Sequence, residues 1–282
     1  MKITVKAPAK INLVLDVVGR RADGYHLLET VFQAVDWYDR ITVESAKEMH
    51  FTCSGNAPQD ERNTAYRAAV LFNERIGCTD AYHITIDKQI PMQAGLAGGS
   101  ADAAGVLVAL NQLHGEPLSV EQLCEIGAKI GADVPFCVVG GTVLATGVGE
   151  QLRPLPALAQ GYVVIAKPTD GVSTPEAYRR LDAVQNLPHP SADACCNAIE
   201  NGDFEAMART VGNVFETALA IPSCTAIKEQ LLQHGALAAC MSGSGSAVFG
   251  LFREKTLAEQ CAKQLPFETV RVCRPCGGVI VE

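Results

Sequence analysis

A chain of 282 residues, 48% hydrophobic and 19% charged, can bury a full core in one large or two moderate domains, and no apolar run approaches the ~20 residues of a membrane span. A formal net charge of −8 argues against a nucleic-acid partner, because counterion release needs clustered Lys and Arg. Eleven cysteines lack the short, loop-rich setting of a disulfide scaffold, and no basic-then-apolar leader opens the chain, so reduced thiols and a cytoplasmic location are expected.

Residues 2–18 alternate as a strand does. Ile3 and Val5, then Ile11, Leu13, Leu15 and Val17, form an apolar odd face, while Lys10, Asn12 and Asp16 share the even face and set an ammonium beside an amide. The polar loop that follows, Gly19 to Thr30, displays Tyr25 and His26, a pair able to stack on and hydrogen-bond a planar base. Residues 31–53 alternate weakly and are expected to supply further strands, with a turn at Asp36-Trp37-Tyr38-Asp39. Asn63 suits the N-cap of an amphipathic helix over 64–76, in which Ala65, Ala68, Ala69, Phe72 and Ile76 share one face.

A short strand over 84–90 leads into Pro91-Met92-Gln93-Ala94-Gly95-Leu96-Ala97-Gly98-Gly99-Ser100-Ala101-Asp102-Ala103-Ala104-Gly105. The order strand, glycine-rich loop, helix is that of an anion site, yet there is neither a Gly-Lys-Ser/Thr ending nor a Gly-x-Gly-x-x-Gly. Gly95, Gly98 and Gly99 are expected to take left-handed dihedrals and bring backbone amides onto phosphate oxygens. Ser100 suits an N-cap and Asp102 a first turn, and the run 103–113 is apolar on nearly every face, so its helix should be buried.

Ser119-x-x-Gln122 has the form of a capping box for a helix carrying Leu123, Ile126 and Ile130. In Gly131-Ala132-Asp133-Val134-Pro135-Phe136, Pro135 is expected to push Val134 out of helical geometry, leaving Asp133 at an element boundary where its carboxylate can be aimed. Residues 140–150 read as paired strands with Gly turns, and Pro154 and Pro156 interrupt regular structure over 151–160, which marks the domain boundary. A strand over 162–166 precedes Ser173-Thr174-Pro175-Glu176, another capping-box form, whose helix sets Thr174 and Tyr178 one turn apart. Helices near 193–200, 203–219 and 223–234 come next, then strand, strand, helix over 256–265 and strand; an α-β-β-α-β tail fits a ferredoxin-like domain. Its first two strands flank a Gly-rich turn at 241–246. The lone C-x-x-C, Cys273 and Cys276, reads as a turn after the last strand, with no metal site expected. Asn213-Val214-Phe215-Glu216 has no physical role that the sequence discloses.

The Pro-x-x-x-Gly-Leu-x-Gly-Gly-Ser loop, Gly131-Ala132-Asp133-Val134-Pro135-Phe136 and Ala7-Pro8-Ala9-Lys10-Ile11-Asn12-Leu13 resemble the GHMP kinases, named for galacto-, homoserine, mevalonate and phosphomevalonate kinases. Arg21-Ala22-Asp23-Gly24-Tyr25-His26 resembles the branch of that family acting on 4-diphosphocytidyl-2-C-methylerythritol in non-mevalonate isoprenoid biosynthesis. The resemblance implies an α+β fold, with a ribosomal-S5-domain-2-like α/β domain over 1–157 and a ferredoxin-like domain over 158–282. It implies ATP as co-substrate, Mg2+ arriving on the nucleotide and touching Ser100, and a small-molecule substrate with a cytidine diphosphate group. Lys10 and Asp133 would be catalytic. Gln93, Ala94, Gly95, Leu96, Ala97, Gly98, Gly99, Ser100 and Ala101 would hold ATP, with Asn63 and Lys88 near the adenine and Ser242, Gly243, Ser244 and Gly245 closing over the phosphates. Asn12, Tyr25, His26, Thr174 and Tyr178 would bind substrate, Tyr178 as a second wall of a cytosine sandwich. A mevalonate- or homoserine-type kinase, or a non-catalytic ATP-binding regulator on the same fold, are the alternatives.

Overall fold

The computed structural model describes residues 1–55 and 57–282. Two long antiparallel strands, β1 (Lys2–Arg20) and β2 (His26–Ala46), form the spine of the first sheet. The stretch 36–39, expected to turn, instead runs on as strand. Pro8 pairs with Tyr38 but Ala9 pairs with Val35, so Asp36 and Trp37 bulge out opposite the proline, which has no N–H to give the ladder. The bulge is occupied from outside: the Asp36 N–H donates to the Arg274 carbonyl at 3.0 Å, and the Arg274 N–H donates to Asp36 Oδ1 at 2.6 Å.

The order continues β3 (His50–Cys53), α1 (Thr64–Ile76), β4 (Ala81–Asp87), α2 (Gly98–Leu113), α3 (Val120–Ala128), α4 (Val134–Val139), β5 (Thr142–Thr146) and β6 (Gln151–Pro154). Asn63 caps α1 and the Ser119–Gln122 capping box opens α3, both as the residue types imply. Pro154, expected to interrupt regular structure, pairs with Val143 at the end of the edge strand β6, where a missing donor is tolerated. Helix α2 is buried all round between α1, α4 and the β1–β2 face. Gly105 permits that approach, since a β-carbon there would stand 2.7 Å from Ile41 Cδ1. Fully buried side chains such as Leu107 and Leu110 each contribute about 1.5–3 kcal/mol and fix the helix in place.

The chain then builds β7 (Tyr162–Lys167), α5 (Thr174–Leu181), α6 (Ala192–Glu200), α7 (Phe204–Thr210), β8 (Gly212–Asn213), α8 (Val214–Leu219) and α9 (Pro222–Gln233). β9 (Ala238–Met241), β10 (Val248–Phe252), α10 (Lys255–Gln264), β11 (Thr269–Cys273) and β12 (Ile280–Val281) complete it. The second sheet is antiparallel in the order β11-β7-β10-β9, the ferredoxin-like arrangement. Its strands are buried on both faces: Val163 and Ile165 join the core of the first sheet, while Val164 and Ala166 pack in the core formed with α9 and α10.

One helix over 203–219 was expected; it is broken at 211–213, where Gly212 and Asn213 pair in parallel with Val14 and Leu15 and Asn213 caps α8. Helices α6 and α7 pack in the first core, and β12 pairs with β1, so segments beyond residue 157 also complete the first sheet. Among the described residues no helix is long and apolar enough to cross a membrane.

Candidate active site

A cavity of about 1100 Å³ opens along β1, bounded by the loop before α2, the start of α4, helix α5 and residues 243–245; Lys10 and Asn12 line it as expected, but the bulge between Asn12 and Val14 shifts the register, so Leu15 lines it in place of Asp16, which pairs with His189. One end is the loop before α2. Of the three glycines expected in left-handed geometry only Gly95 adopts it, with φ 72°; Gln93 (φ 51°) and Ala97 (φ 56°) take it without being glycine. Helix α2 begins at Gly98, so Ala97 occupies the N-cap and Ser100, expected there, lies inside the first turn. No side chain caps this helix, and its leading N–H groups are left for an anion.

Gln93, Ala94, Gly95, Ala97, Gly98, Gly99 and Ser100 line the cavity, whereas Leu96 and Ala101, expected with them, are buried beneath it. Gly95 has a steric requirement as well, for a β-carbon there would lie 1.9 Å from the Ser242 carbonyl oxygen. Ser242, expected to contact nucleotide, is fully buried: its Oγ donates to the Gly95 carbonyl at 2.9 Å and accepts the Asn12 N–H at 3.3 Å. It is a strut between loops, and Gly243, Ser244 and Gly245 line the cavity, Ser244 being the one partly exposed. The stretch 213–216 is explained here. Asn213 Nδ2 donates to the Met241 and Gly243 carbonyls at 2.7 and 2.8 Å, and Glu216 Oε1 accepts the Met241 N–H at 3.0 Å while Oε2 receives Lys228 at 2.7 Å.

On the cavity floor the buried Lys10 ammonium donates to Asn12 Oδ1 at 2.7 Å, lies 3.6 Å from Asp133 Oδ2 and sits 5.1 Å from the Phe32 ring centroid. Asn12 is held in turn, donating from Nδ2 to Thr30 Oγ1 at 2.8 Å, while that hydroxyl donates to the Val14 carbonyl at 2.6 Å. Asp133 is the N-cap residue of α4 but makes no side-chain cap bond, so its carboxylate remains directed elsewhere. Contrary to expectation Val134 is helical; Pro135 falls in the first turn, where its missing N–H costs no helix bond.

At the other side of the anion loop, Asn63 lines the cavity but commits its amide to structure, Oδ1 accepting the Ala65 N–H at 3.0 Å and Nδ2 donating to the Pro58 carbonyl at 2.8 Å. Lys88 is likewise engaged, donating to Asp102 Oδ2 at 2.7 Å and to the fully buried Asp39. Burial alone would depress the Lys88 ammonium, but Asp102 and Asp39 outweigh it and hold its pKa above the ordinary lysine value. Burial pushes the Asp102 carboxyl well above the usual range despite Lys88, and its Oδ1 has no hydrogen-bond partner. Neither carboxylate was picked out from the sequence as a partner for Lys88, although a lone acid on an otherwise apolar helix demands a buried counter-charge.

At the far end Tyr25 is 65% exposed. The His26 ring stacks on Tyr178 with centroids 4.5 Å apart and planes 23° apart, and Tyr178 meets Phe215 edge-on at 5.0 Å. His26 and Tyr178 thus stack directly on each other, and Tyr25 is the exposed aromatic ring at this end of the cavity. Burial, then the nearby Asp133, raises the Tyr178 phenol to about 12. Thr174 Oγ1 lies 3.2 Å from Ser244 Oγ, joining α5 to the glycine-rich turn. Ser173 is the N-cap of α5 but forms no capping box, because Glu176 pairs forward with Arg179 and Arg180. Sequence reasoning missed Phe215, which lines the cavity, and Asp182, which lies 2.7 Å from His26 Nε2.

Residues 63–141 match the family model described as GHMP kinases N terminal domain, and residues 196–270 match GHMP kinases C terminal. The 4-diphosphocytidyl-2-C-methyl-D-erythritol kinase of Brevibacillus brevis is 47% identical over 260 residues, covering 90% of this chain and 89% of that one. Its namesake from Bacillus velezensis is 47% identical over 265 residues, 92% and 91% of the two chains. Among solved structures, a 4-(cytidine 5'-diphospho)-2C-methyl-D-erythritol kinase superposes with a TM-score of 0.82 at 34% identity, covering 96% of this chain and 98% of that one. A homoserine kinase from Cytophaga hutchinsonii, at 22% identity and TM-score 0.81 over 100% and 97% of the chains, shares the fold.

Proposed function

The chain belongs to the GHMP kinases, and from that premise we propose that it transfers the γ-phosphate of ATP to the C2 hydroxyl of 4-diphosphocytidyl-2-C-methyl-D-erythritol, the compound named for relatives 42% to 48% identical to it. The observation that carries this reading is the placement of Lys10 and Asp133, 3.6 Å apart, in one cavity with the uncapped N-terminus of α2 at one end and the Tyr25–His26 loop at the other. A phosphoryl donor and a base-bearing acceptor each have an end, and the reacting groups meet between them.

Phosphoryl transfer asks chiefly for positioning and charge neutralisation, since its loose transition state spreads charge over the equatorial oxygens. The α2 amides hold the nucleotide phosphates. Lys10, fixed by Asn12, directs its ammonium at the transferring group. Asp133 accepts the proton of the attacking hydroxyl. The Ser100 hydroxyl and the unpartnered Asp102 Oδ1 are hard oxygen donors that fit magnesium; an ion carried in by the nucleotide would be held at Ser100 and would supply further charge neutralisation. In this reading residues 1–157 contribute the anion loop and the catalytic pair, and residues 158–282 contribute Thr174, Tyr178 and the 243–245 turn. Eleven unpaired thiols support a reducing, cytoplasmic setting.

A coupled ADP-release assay with this substrate, mevalonate and homoserine tests the assignment. Turnover of the cytidine substrate alone is expected. Preferential turnover of either other alcohol would move the chain to another branch, and ATP binding without turnover of any would make it a regulator.

A further inference from the structure

Neutral imidazole carries one donor and one acceptor, and which nitrogen holds the proton is decided by its partner. His26 Nε2 lies 2.7 Å from Asp182 Oδ1, and a carboxylate only accepts, so Nε2 carries the hydrogen and Nδ1 is left with its lone pair. The ring has little freedom to rotate away, being stacked on Tyr178. Asp182 is itself anchored: its N–H donates to the Tyr178 carbonyl at 2.9 Å at the end of α5, and Arg20 Nη1 lies 3.6 Å from its Oδ2. Arg20 Nε also donates to the Gly24 carbonyl at 3.0 Å, which ties the hairpin tip to the same carboxylate. Nδ1 has no hydrogen-bond partner among the described residues, and His26 lines the cavity.

Cytosine and uracil have nearly the same shape but opposite edges. Cytosine offers an exocyclic amine, a donor, where uracil offers a carbonyl oxygen, an acceptor. We propose that Asp182 is a specificity-determining positioning residue: by accepting the Nε2 hydrogen of His26 it presents the Nδ1 lone pair to the cavity, where it takes a base with an exocyclic amine and rejects the carbonyl isostere. To bind uracil the proton would have to move to Nδ1, leaving the Nε2 lone pair against the Asp182 carboxylate. That repulsion, acting through His26, is the source of the discrimination.

The inference rests on the kinase reading for its substrate, but base binding can be followed without phosphoryl transfer. Kinetics with the cytidine substrate and its uridine analogue, and calorimetry with CDP and UDP, are run on the wild type, Asp182→Ala and Asp182→Glu. Removing the carboxylate relieves the penalty on uracil, so in Asp182→Ala the cytosine-to-uracil ratio of kcat/KM should fall roughly 10- to 100-fold while the KM for ATP stays unchanged. Asp182→Glu should restore most of the preference. ¹⁵N spectra of the wild type should report neutral His26 protonated on Nε2. An Nδ1-protonated ring or an imidazolium, or an equal loss for both bases in Asp182→Ala, would overturn the proposal. Failure of the kinase reading would appear differently, as absence of turnover with CDP preference over UDP intact.

Discussion

The two ends of the cavity are built on different principles. The proposed phosphate end is backbone: uncapped amides of α2 and a glycine-rich turn, pressed together so closely that Gly95 has no room for a β-carbon, and braced from behind by the buried Ser242 and Asn213 and the half-buried Glu216. The proposed base end is side chain: an exposed Tyr25, a stacked His26–Tyr178 pair and ion pairs of Arg20, Asp182 and Glu176 near the surface. Backbone sites are destroyed by steric change, because nothing can be repacked without moving two loops. Side-chain sites are tuned by substitution, because each group can be altered singly. The proposed catalytic pair between them belongs to neither class, being one buried ammonium and one partly exposed carboxylate.

The largest effect is expected at that centre. Asp133→Asn keeps shape but removes the proton acceptor, and kcat should fall by ~10²–10⁴ with both substrates still bound. Lys10→Met should also lower kcat, and if the two act as a unit the double mutant will be little worse than the poorer single one. Near-wild-type turnover of Asp133→Asn in steady-state assays would remove its role as base. Gly95→Ala tests the backbone end: left-handed strain and the contact with the Ser242 carbonyl together should cost about 2–5 kcal/mol, seen as a lowered Tm and lost ATP binding. Gly98 is a less informative site, since its added β-carbon would meet Lys88 Nζ and Ile90 at 3.2 Å.

A change at the base end should be milder and confined to one substrate. Tyr25→Ala removes the open stacking face, worth roughly 1–3 kcal/mol by analogy with base–aromatic stacking, and should raise the KM for the cytidine substrate well beyond that for ATP. A matching rise in both would erase the distinction between the two ends. The smallest effect concerns acid. Hydrogen bonds from Arg179 and Arg180 hold Glu176 down at about 2, below its ordinary 4.5. A depressed carboxylate stabilises the fold fully above the unfolded value and loses that contribution as pH falls through the folded one, here between about 4.5 and 2. Glu176→Gln should therefore flatten a slight loss of α5 helicity over that window, measured by circular dichroism, and leave neutral-pH activity unchanged.

Much of this was legible in local pattern. Period-two alternation placed Lys10 and Asn12 on one face of β1 and period-3.6 spacing gave α1, because burial of one face is a property of consecutive residues; it failed for Asp16, where the bulge after Asn12 shifts the register. Capping residues announced α1 and α3 for the same reason: an N-cap bond spans two or three positions. Local signals misled where a distant segment competed for the backbone. The tail at 274–276 turned an expected turn at 36–39 into a bulged strand, and pairing with β1 broke the helix expected over 203–219.

The site divides in the same way. Residue type and order, read with the resemblance to the GHMP kinases, were enough to propose the anion loop, Lys10, Asp133 and the Tyr25–His26 pair, since each motif is contiguous; the fold brings them to one cavity. Only the tertiary structure could decide that Ser242 is a strut, that Lys88 is neutralised by Asp39 and Asp102, and that Asp182 holds His26, as these contacts join positions up to 230 residues apart. The physical reason is that a hydrogen bond or ion pair is set by separation in space within a few ångströms, and a chain reveals such separations only between near neighbours until its elements are packed.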